Sequence, residues 1–173
     1  LKSDGHFVLE PESGELACGI TGPGRLPEPE DILDRLLSYL SPKDMKGKRI
    51  IVTAGPTRES IDPVRFISNP SSGKMGFAVA KAAEQRGGNV ILITGPTELP
   101  DPHNVMVVRV GTAREMALAV FEQVENSEII IKTAAVSDYS PKEQAGQKIK
   151  KEKDELVLVL EKTRDILKEV GMR

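Results

Sequence analysis

Residues 48–76 read KRIIVTAGPTRESIDPVRFISNPSSGKMG, and three features of this stretch set the fold. Arg49-Ile50-Ile51-Val52-Thr53 is a short apolar run rich in β-branched side chains, the pattern of a strand buried on both faces of a parallel sheet. Ser71-Ser72-Gly73-Lys74-Met75-Gly76 opens a helix expected to run to about Arg86, with Ser71 or Ser72 as its cap. Phe77, Ala78, Ala82 and Ala83 are expected to face inward, and Gly87-Gly88 to stop the helix. Between strand and helix lies a connection of about 18 residues, Ala54 to Ser71, where parallel sheets usually take about 2 to 6. Loops of that length are commonly functional.

Working outward, strand and helix signals alternate. Asn89 to Thr94 reads as a second strand and Val105 to Val110 as a third. Thr112 with Glu115 forms a capping box for a helix to about Asn126. Glu128 to Lys132 is a fourth strand, leading into Thr133-Ala134-Ala135-Val136. This succession predicts an α/β fold, a Rossmann-like, mostly parallel sheet flanked by helices, with ligands beyond the carboxyl ends of its strands. After Tyr139 the pattern weakens. Ser140 to Asp154 is polar and rich in lysine, Glu155 to Leu160 reads as a strand, and a helix starts from Thr163.

Ahead of Lys48 the chain has a different character. Phe7-Val8-Leu9 and Leu16-Ala17-Cys18 read as a hairpin about the turn Pro11 to Gly14, and a Gly/Pro loop spans Gly19 to Pro29. A helix over Glu30 to Leu40 places Ile32, Leu33, Leu36, Leu37 and Leu40 at helical spacing. The expected organisation is an appendage of hairpin, loop and helix over residues 1–40, a linker over 41–47, and a main domain over 48–173. The appendage is too small to hold a core alone.

Composition narrows the function. The chain has 173 residues, 39% of them hydrophobic, which suits one globular domain with an appendage. No apolar run approaches the roughly 20 residues of a membrane span, and LKSDGHFVLEPESGE lacks the basic start and apolar middle of a signal peptide. A cytoplasmic protein without a membrane partner is expected. Cys18 has no partner for a disulfide, and with His6 and His103 it gives no metal-ligand spacing. A net charge of −2 argues against general nucleic-acid binding. Any phosphate site must therefore be local.

The start of the Ser71–Gly76 helix meets that requirement. Free amides and the helix dipole attract an anion, glycines let it approach the backbone, and Gly55-Pro56-Thr57 offers a second close approach. GxGxxG is absent. Walker A fails too, since Met75 follows Gly73-Lys74 and Ser68 stands where its first glycine belongs. Arg65 and Asn69 suit a carboxylate, or else make a surface ion pair and a turn. Asp138 is placed to hold a ribose hydroxyl or a cation-linked phosphate, or simply to cap a turn. Lys148-Ile149-Lys150-Lys151-Glu152-Lys153 is either a solvated face or a loop that folds over a triphosphate.

Val52 to Gly76, with TAAVSDY at 133–139 and KIKK at 148–151, closely resembles bacterial phosphopantothenoylcysteine synthetase. The resemblance covers about residues 46–173. ELACGITGPGRLPEPEDI at 15–32 resembles the end of the flavin-dependent decarboxylase that bacteria fuse ahead of the synthetase. The chain is thus similar to part of a bifunctional enzyme of coenzyme A synthesis, whose synthetase continues past residue 173.

The resemblance implies a ligase with two stages. The carboxylate of 4'-phosphopantothenate attacks the α-phosphate of CTP with magnesium assisting, and the amine of L-cysteine then displaces CMP from the acyl-cytidylate. The residues alone do not choose between CTP and ATP. By the same resemblance, Gly55, Ser71, Gly73 and Gly76 hold the substrate phosphate, and Asn69, with Arg65 beside it, handles the acyl intermediate. Lys132, Thr133, Ala134, Asp138 and Lys148 take the nucleotide, with Lys148 needed to form the intermediate. Arg164, Asp165, Ile166 and Leu167 belong to a further nucleotide segment whose usual Asn-Pro is here Thr163-Arg164. Cys18 matches the proton donor of the FMN-dependent decarboxylase, whose flavin-binding body lies outside this chain. Homodimerisation through the synthetase part, and a higher oligomer with the decarboxylase, are also implied.

Two other readings compete. A nucleotide-binding oxidoreductase would need GxGxxG and Tyr-x-x-x-Lys, but Lys142 follows Tyr139 by three places instead of four. A non-catalytic dimerisation module would show no magnesium-dependent affinity for CTP.

Overall fold

The computed structural model describes residues 1–151 and 154–172. Glu152 and Lys153 of the lysine run, and Arg173, lie outside the described residues. The chain divides into two compact units, Leu1–Pro42 and Lys43–Arg173.

In the first unit, a helical turn at Lys2–Asp4 precedes an antiparallel pair, β1 (Glu12–Glu15) and β2 (Thr21–Arg25), and helix α1 (Pro29–Leu40). The strands lie later than the apolar triplets predict. Gly19, at φ +79°, closes a tight turn in which its amide donates to Leu16 O at 2.8 Å and the Leu16 amide donates to Ile20 O at 3.0 Å. Cys18 therefore sits exposed in the turn instead of in a strand. α1 begins with proline in its first turn, where no amide is needed. Its Leu33, Leu36, Leu37 and Leu40 are exposed. Among the described residues of this unit only Pro27 is buried, as expected of a segment too short for its own core.

The second unit holds a four-stranded, wholly parallel sheet built from β3 (Arg49–Ala54), β6 (Asn89–Thr94), β7 (Met106–Arg109) and β8 (Ile129–Lys132). Its order is β7-β6-β3-β8. Helix α2 (Lys74–Gln85) carries the chain from β3 to β6, and α3 (Ala113–Val124) returns it across the sheet to β8 on the other side of β3. On one face, Ile50, Val52 and Ala54 of β3 pack on Phe77, Ala80 and Ala83 of α2. On the other, Ile51, Ile91 and Ile93 pack on Met116, Ala117, Val120 and Phe121 of α3. Each core strand thus contributes to both faces, as its continuous apolar sequence requires.

Three expectations for α2 and the connection before it need correction. α2 is capped by Gly73 in the left-handed region at φ +75°, and Ser71 and Ser72 make only long contacts of 3.4 and 3.5 Å to the Gly73 and Lys74 amides. The inward stripe of α2 is Gly76, Phe77, Ala80 and Ala83, with Ala78 and Ala82 exposed. The long connection is not a plain loop. It folds into an antiparallel hairpin, β4 (Arg58–Asp62) and β5 (Arg65–Ser68), with a bulge between Ser60 and Asp62. Asp62 Oδ1 accepts from the Val64 and Arg65 amides at 3.0 and 2.9 Å and so fixes the turn.

The capping box of α3 is present as read, with Thr112 Oγ1 accepting from the Glu115 amide. Beyond β8, β9 (Tyr139–Pro141) pairs antiparallel with β10 (Leu160–Lys162). The expected strand over Glu155–Leu160 survives only at Leu160, because the three residues of β9 offer pairing partners only to residues 160–162. Helix α4 (Ile166–Val170) follows, capped by Asp165, which accepts from the Lys168 amide at 3.1 Å. Among the described residues no helix is long and apolar enough to cross a membrane.

Candidate functional site

The strand order reverses at β3, since β6 lies on one side of it and β8 on the other. In parallel α/β sheets the crevice beyond such a reversal is where ligands bind. Here that crevice is bounded by Gly55-Pro56 after β3 and Thr133-Ala134-Ala135 after β8, which a bridge between Pro56 and Ala135 draws together. The Ala135 amide donates to Gly55 O at 2.9 Å.

Glycines make the first half of the site. A Cβ on Gly55, at φ +71°, would come within 2.9 Å of Thr97 Cγ2, and one on Gly73 within 2.7 Å of the same atom. The latter would also lie 3.3 Å from the Gly55 amide, so the connection folds back on itself and brings its two ends into contact. Gly76 lies flat on β3, where a Cβ would meet Ala54 Cβ at 2.4 Å and Thr133 Oγ1 at 2.6 Å. The outcome is a backbone-lined floor at the start of α2, whose first turn carries Lys74 and no acidic residue. Such a floor suits an anion, since it lies at the positive end of the helix dipole. Ser71 is half-buried beside it.

The second half is a groove of about 580 Å³ on the β8 side. Lys132, Ala134, Asp138, Arg164, Asp165 and Leu167 of the expected nucleotide residues all line it, with Tyr139, Lys162 and Thr163. Thr133 instead donates its hydroxyl to Thr53 O at 2.6 Å, between the two halves. The Ile166 side chain is buried in the core beside α3. Arg164 is already engaged, donating to Glu169 and lying 4.8 Å over the Phe121 ring.

Asn69 bridges the hairpin to the groove, its amide donating to Val136 O at 3.1 Å. Arg65 does not stand free for a substrate carboxylate. Its guanidinium pairs with Asp62 and donates to Ile149 O at 3.0 Å. Asp62 is 2% exposed, and the Arg65 guanidinium together with the backbone amides it accepts holds its carboxyl well below the usual carboxylate range. Lys148 is exposed on the segment that this pair grips at Ile149, and it does not line the groove. A second cavity of about 410 Å³ lies along that segment, lined by Arg65, Ile149, Lys150 and Lys151 among others. Cys18 belongs to the other unit.

Besides Lys162 of the groove, sequence reasoning overlooked four supporting positions. Gly95 cannot carry a side chain, since its Cβ would fall 1.6 Å from Pro56 O, and Thr97 fills the space beneath both cradle glycines. Buried Glu59 accepts from the Ala113 amide at 2.9 Å, tying the hairpin to α3, and Asp62 ties it to the lysine segment at 3.1 Å. A Gly-Pro step after a strand and an Asp-Pro step inside a loop were the available signals.

Among the described residues no group of three or more His, Cys, Asp or Glu forms a metal cage. Magnesium that arrives on nucleotide phosphates needs only one or two protein carboxylates. Asp138 and Asp165, both lining the groove, fit that demand. Residues 1–42 bury almost nothing of their own and by themselves do not fit a flavin.

Known proteins agree with this architecture. The coenzyme A biosynthesis bifunctional protein CoaBC of Haemophilus influenzae is 49% identical over 172 residues, covering 99% of this chain and 43% of that protein. The chain therefore spans less than half of that relative's length. The crystal structure of the C-terminal domain of CoaBC superposes with a TM-score of 0.67 at 48% identity, covering 76% of this chain and 61% of that one. A mutant of Cab2, solved in complex with phosphopantothenate-cysteine, shares the fold at a TM-score of 0.60 and 17% identity, covering 83% and 67%. With residues 45–173 matched by the family model, the chain belongs to the family of the DNA/pantothenate metabolism flavoprotein C-terminal domain.

Proposed function

We propose that this chain carries the nucleotide-activating part of a CTP-dependent ligase of coenzyme A synthesis, which joins 4'-phosphopantothenate to L-cysteine within a longer bifunctional protein. The observation that carries the reading is the adjacency of an anion floor, formed by Gly55, Gly73 and Gly76, and a separate groove lined by Asp138 and Lys162. Two charged ligands meeting at one sheet crevice are what a carboxylate-activating reaction requires.

In this reading the backbone amides at the start of α2 hold the phosphate of phosphopantothenate, and Ser71 adds a hydroxyl. The nucleotide lies in the groove, with magnesium neutralising phosphate charge when bound. The substrate carboxylate forms a bond to the α-phosphorus, and the bond to the leaving pyrophosphate breaks. Lys148 stabilises the negative charge that accumulates on that leaving group. The cysteine amine then attacks the acyl carbon, CMP departs, and the amine loses a proton. Asn69, held by Val136 O, orients the acyl group against that attack. Arg65 acts by shaping the hairpin through Asp62. Residues 1–40 are assigned to the end of the FMN-dependent decarboxylase, with Cys18 as its proton donor, and the synthetase parts of two copies are assigned to a homodimer.

Mass spectrometry of reactions run by the full family-length protein tests this. Phosphopantothenate, CTP, magnesium and cysteine together should give phosphopantothenoylcysteine, CMP and pyrophosphate, with omission of CTP abolishing all three. Absence of a CTP-dependent product would refute the assignment.

A further inference from the structure

We infer that Asp62 is a positioning residue that holds the Lys148–Lys151 segment in register for the first half-reaction. The catalytic side of this inference rests on the role proposed above for Lys148. The mechanical side stands on geometry alone.

Asp62 is buried at the turn of the β4–β5 hairpin, and its two carboxylate oxygens have separate tasks. Oδ1 accepts from the Val64 and Arg65 amides at 3.0 and 2.9 Å and serves the local turn. Oδ2 accepts from Arg65 Nε at 3.0 Å and from the Ile149 amide, 87 residues on, at 3.1 Å. Arg65 in turn donates to Ile149 O at 3.0 Å. Both backbone polar groups of Ile149 are thus bound by one carboxylate–guanidinium pair, and charge-assisted hydrogen bonds are the strong kind.

Little else among the described residues sets the course of this stretch. Between β9 and β10 the described residues form no helix or strand, and the attachments are the Lys142 amide to Val159 O at 3.0 Å, the Ala145 amide to Ile61 O at 3.0 Å, and the Ile149 clamp. Lys148 is the neighbour of the clamped residue. A lysine loses much rotamer freedom when it must meet a phosphate, and an unfixed backbone would add to that cost. The clamp removes the backbone part beforehand, which is how a group remote from the chemistry raises a rate.

The split between the oxygens supplies the test. In Asp62→Asn the amide oxygen can keep the turn while the amide nitrogen meets the donors Arg65 Nε and Ile149 N, so the tether is cut and the hairpin kept. In the full family-length protein, trypsin should cleave after Lys148, Lys150 and Lys151 about tenfold faster in this variant, with cleavage after Lys43 and Lys46 unchanged. Pyrophosphate release in a single turnover should slow about 10- to 100-fold. The breakdown of acyl-cytidylate by added cysteine should stay within about twofold, a contrast that a general loss of structure would not produce. If Asp62→Asn does not fold, Ile149→Pro removes the same hydrogen bond from the loop side and should give the same contrast, read by cleavage after Lys150 and Lys151. Unchanged cleavage overturns the tether. Faster cleavage with unaltered pyrophosphate release, or equal slowing of both half-reactions, overturns the positioning role. A wild-type protein that releases no pyrophosphate from CTP would overturn the proposed function and the catalytic side together, while the cleavage rates would still decide the tether.

Discussion

The floor at the start of α2 and the arm between β9 and β10 are built on opposite principles. In the floor, position is set by steric contact: Gly55, Gly73, Gly76 and Gly95 each sit where a single added carbon meets another atom within 3.0 Å. In the arm, position is set by a few hydrogen bonds to a hairpin more than 80 residues earlier in sequence. In the proposed function the substrate phosphate meets the region held by steric contact and the triphosphate meets the region held by hydrogen bonds, so the first should respond to an added carbon and the second to the loss of one polar group.

The contrast breaks most visibly at Gly95. Gly95→Ala drives a carbon into the Pro56 carbonyl, which is backbone and cannot swing away, so a loss of about 3–5 kcal/mol in chemical denaturation is expected. Gly76→Ala should cost about 1–3 kcal/mol by forcing α2 off β3, with weaker binding of phosphopantothenate by calorimetry. Gly146→Ala in the arm meets nothing within 4 Å and should stay within about 0.5 kcal/mol of wild type. Equal costs at Gly76 and Gly146 would erase the distinction. Thr112→Ala, which removes the α3 cap beside the hairpin, should cost about 1 kcal/mol in either denaturant or heat.

The smallest effect is a slope with pH. Asp62 titrates below its ordinary range when folded, so its carboxylate stabilises the fold above the unfolded pKa of about 3.9. That contribution fades as the pH falls below about 4 and on through the folded value. Stability curves between pH 6 and 3, measured by urea denaturation at spaced pH values, should therefore be flatter in Asp62→Asn than in wild type. An identical slope would mean that the carboxylate is not held as described.

What the sequence disclosed follows the same division. The parallel sheet, the place of α2, and α3 with its Thr112–Glu115 box were readable from short-range signals, whereas the cap and inward stripe of α2 were not, because Gly73 in the left-handed region starts the helix. Gly73 and Gly76 were readable as crowded positions because a helix start rich in small residues is a local signal, whereas Gly95, which packs on Pro56 from another strand end, was not. The hairpin was not readable, since Arg58–Ser68 lacks the alternating apolar pattern that marks strands, and its turn depends on a buried Asp62. Nor did anything near Lys148 announce that Ile149 is held by residues of β4 and β5, for a single long-range hydrogen bond leaves no period in the sequence. In the first unit, apolar triplets suggested strands, yet the glycine turn at Gly19 placed the pairing in Thr21–Arg25 instead.

That Lys148 of the arm and Asn69 beside the groove serve successive steps is tested most directly by α-labelled CTP. Incubated with phosphopantothenate and without cysteine, the full family-length protein should trap labelled acyl-cytidylate. Lys148→Gln should trap none and release no pyrophosphate. Asn69→Asp should form the adduct and pass it on slowly, because a carboxylate placed against Val136 O displaces the loop that orients the acyl group. Adduct accumulating in Lys148→Gln, or both variants stalling before pyrophosphate release, would contradict the account.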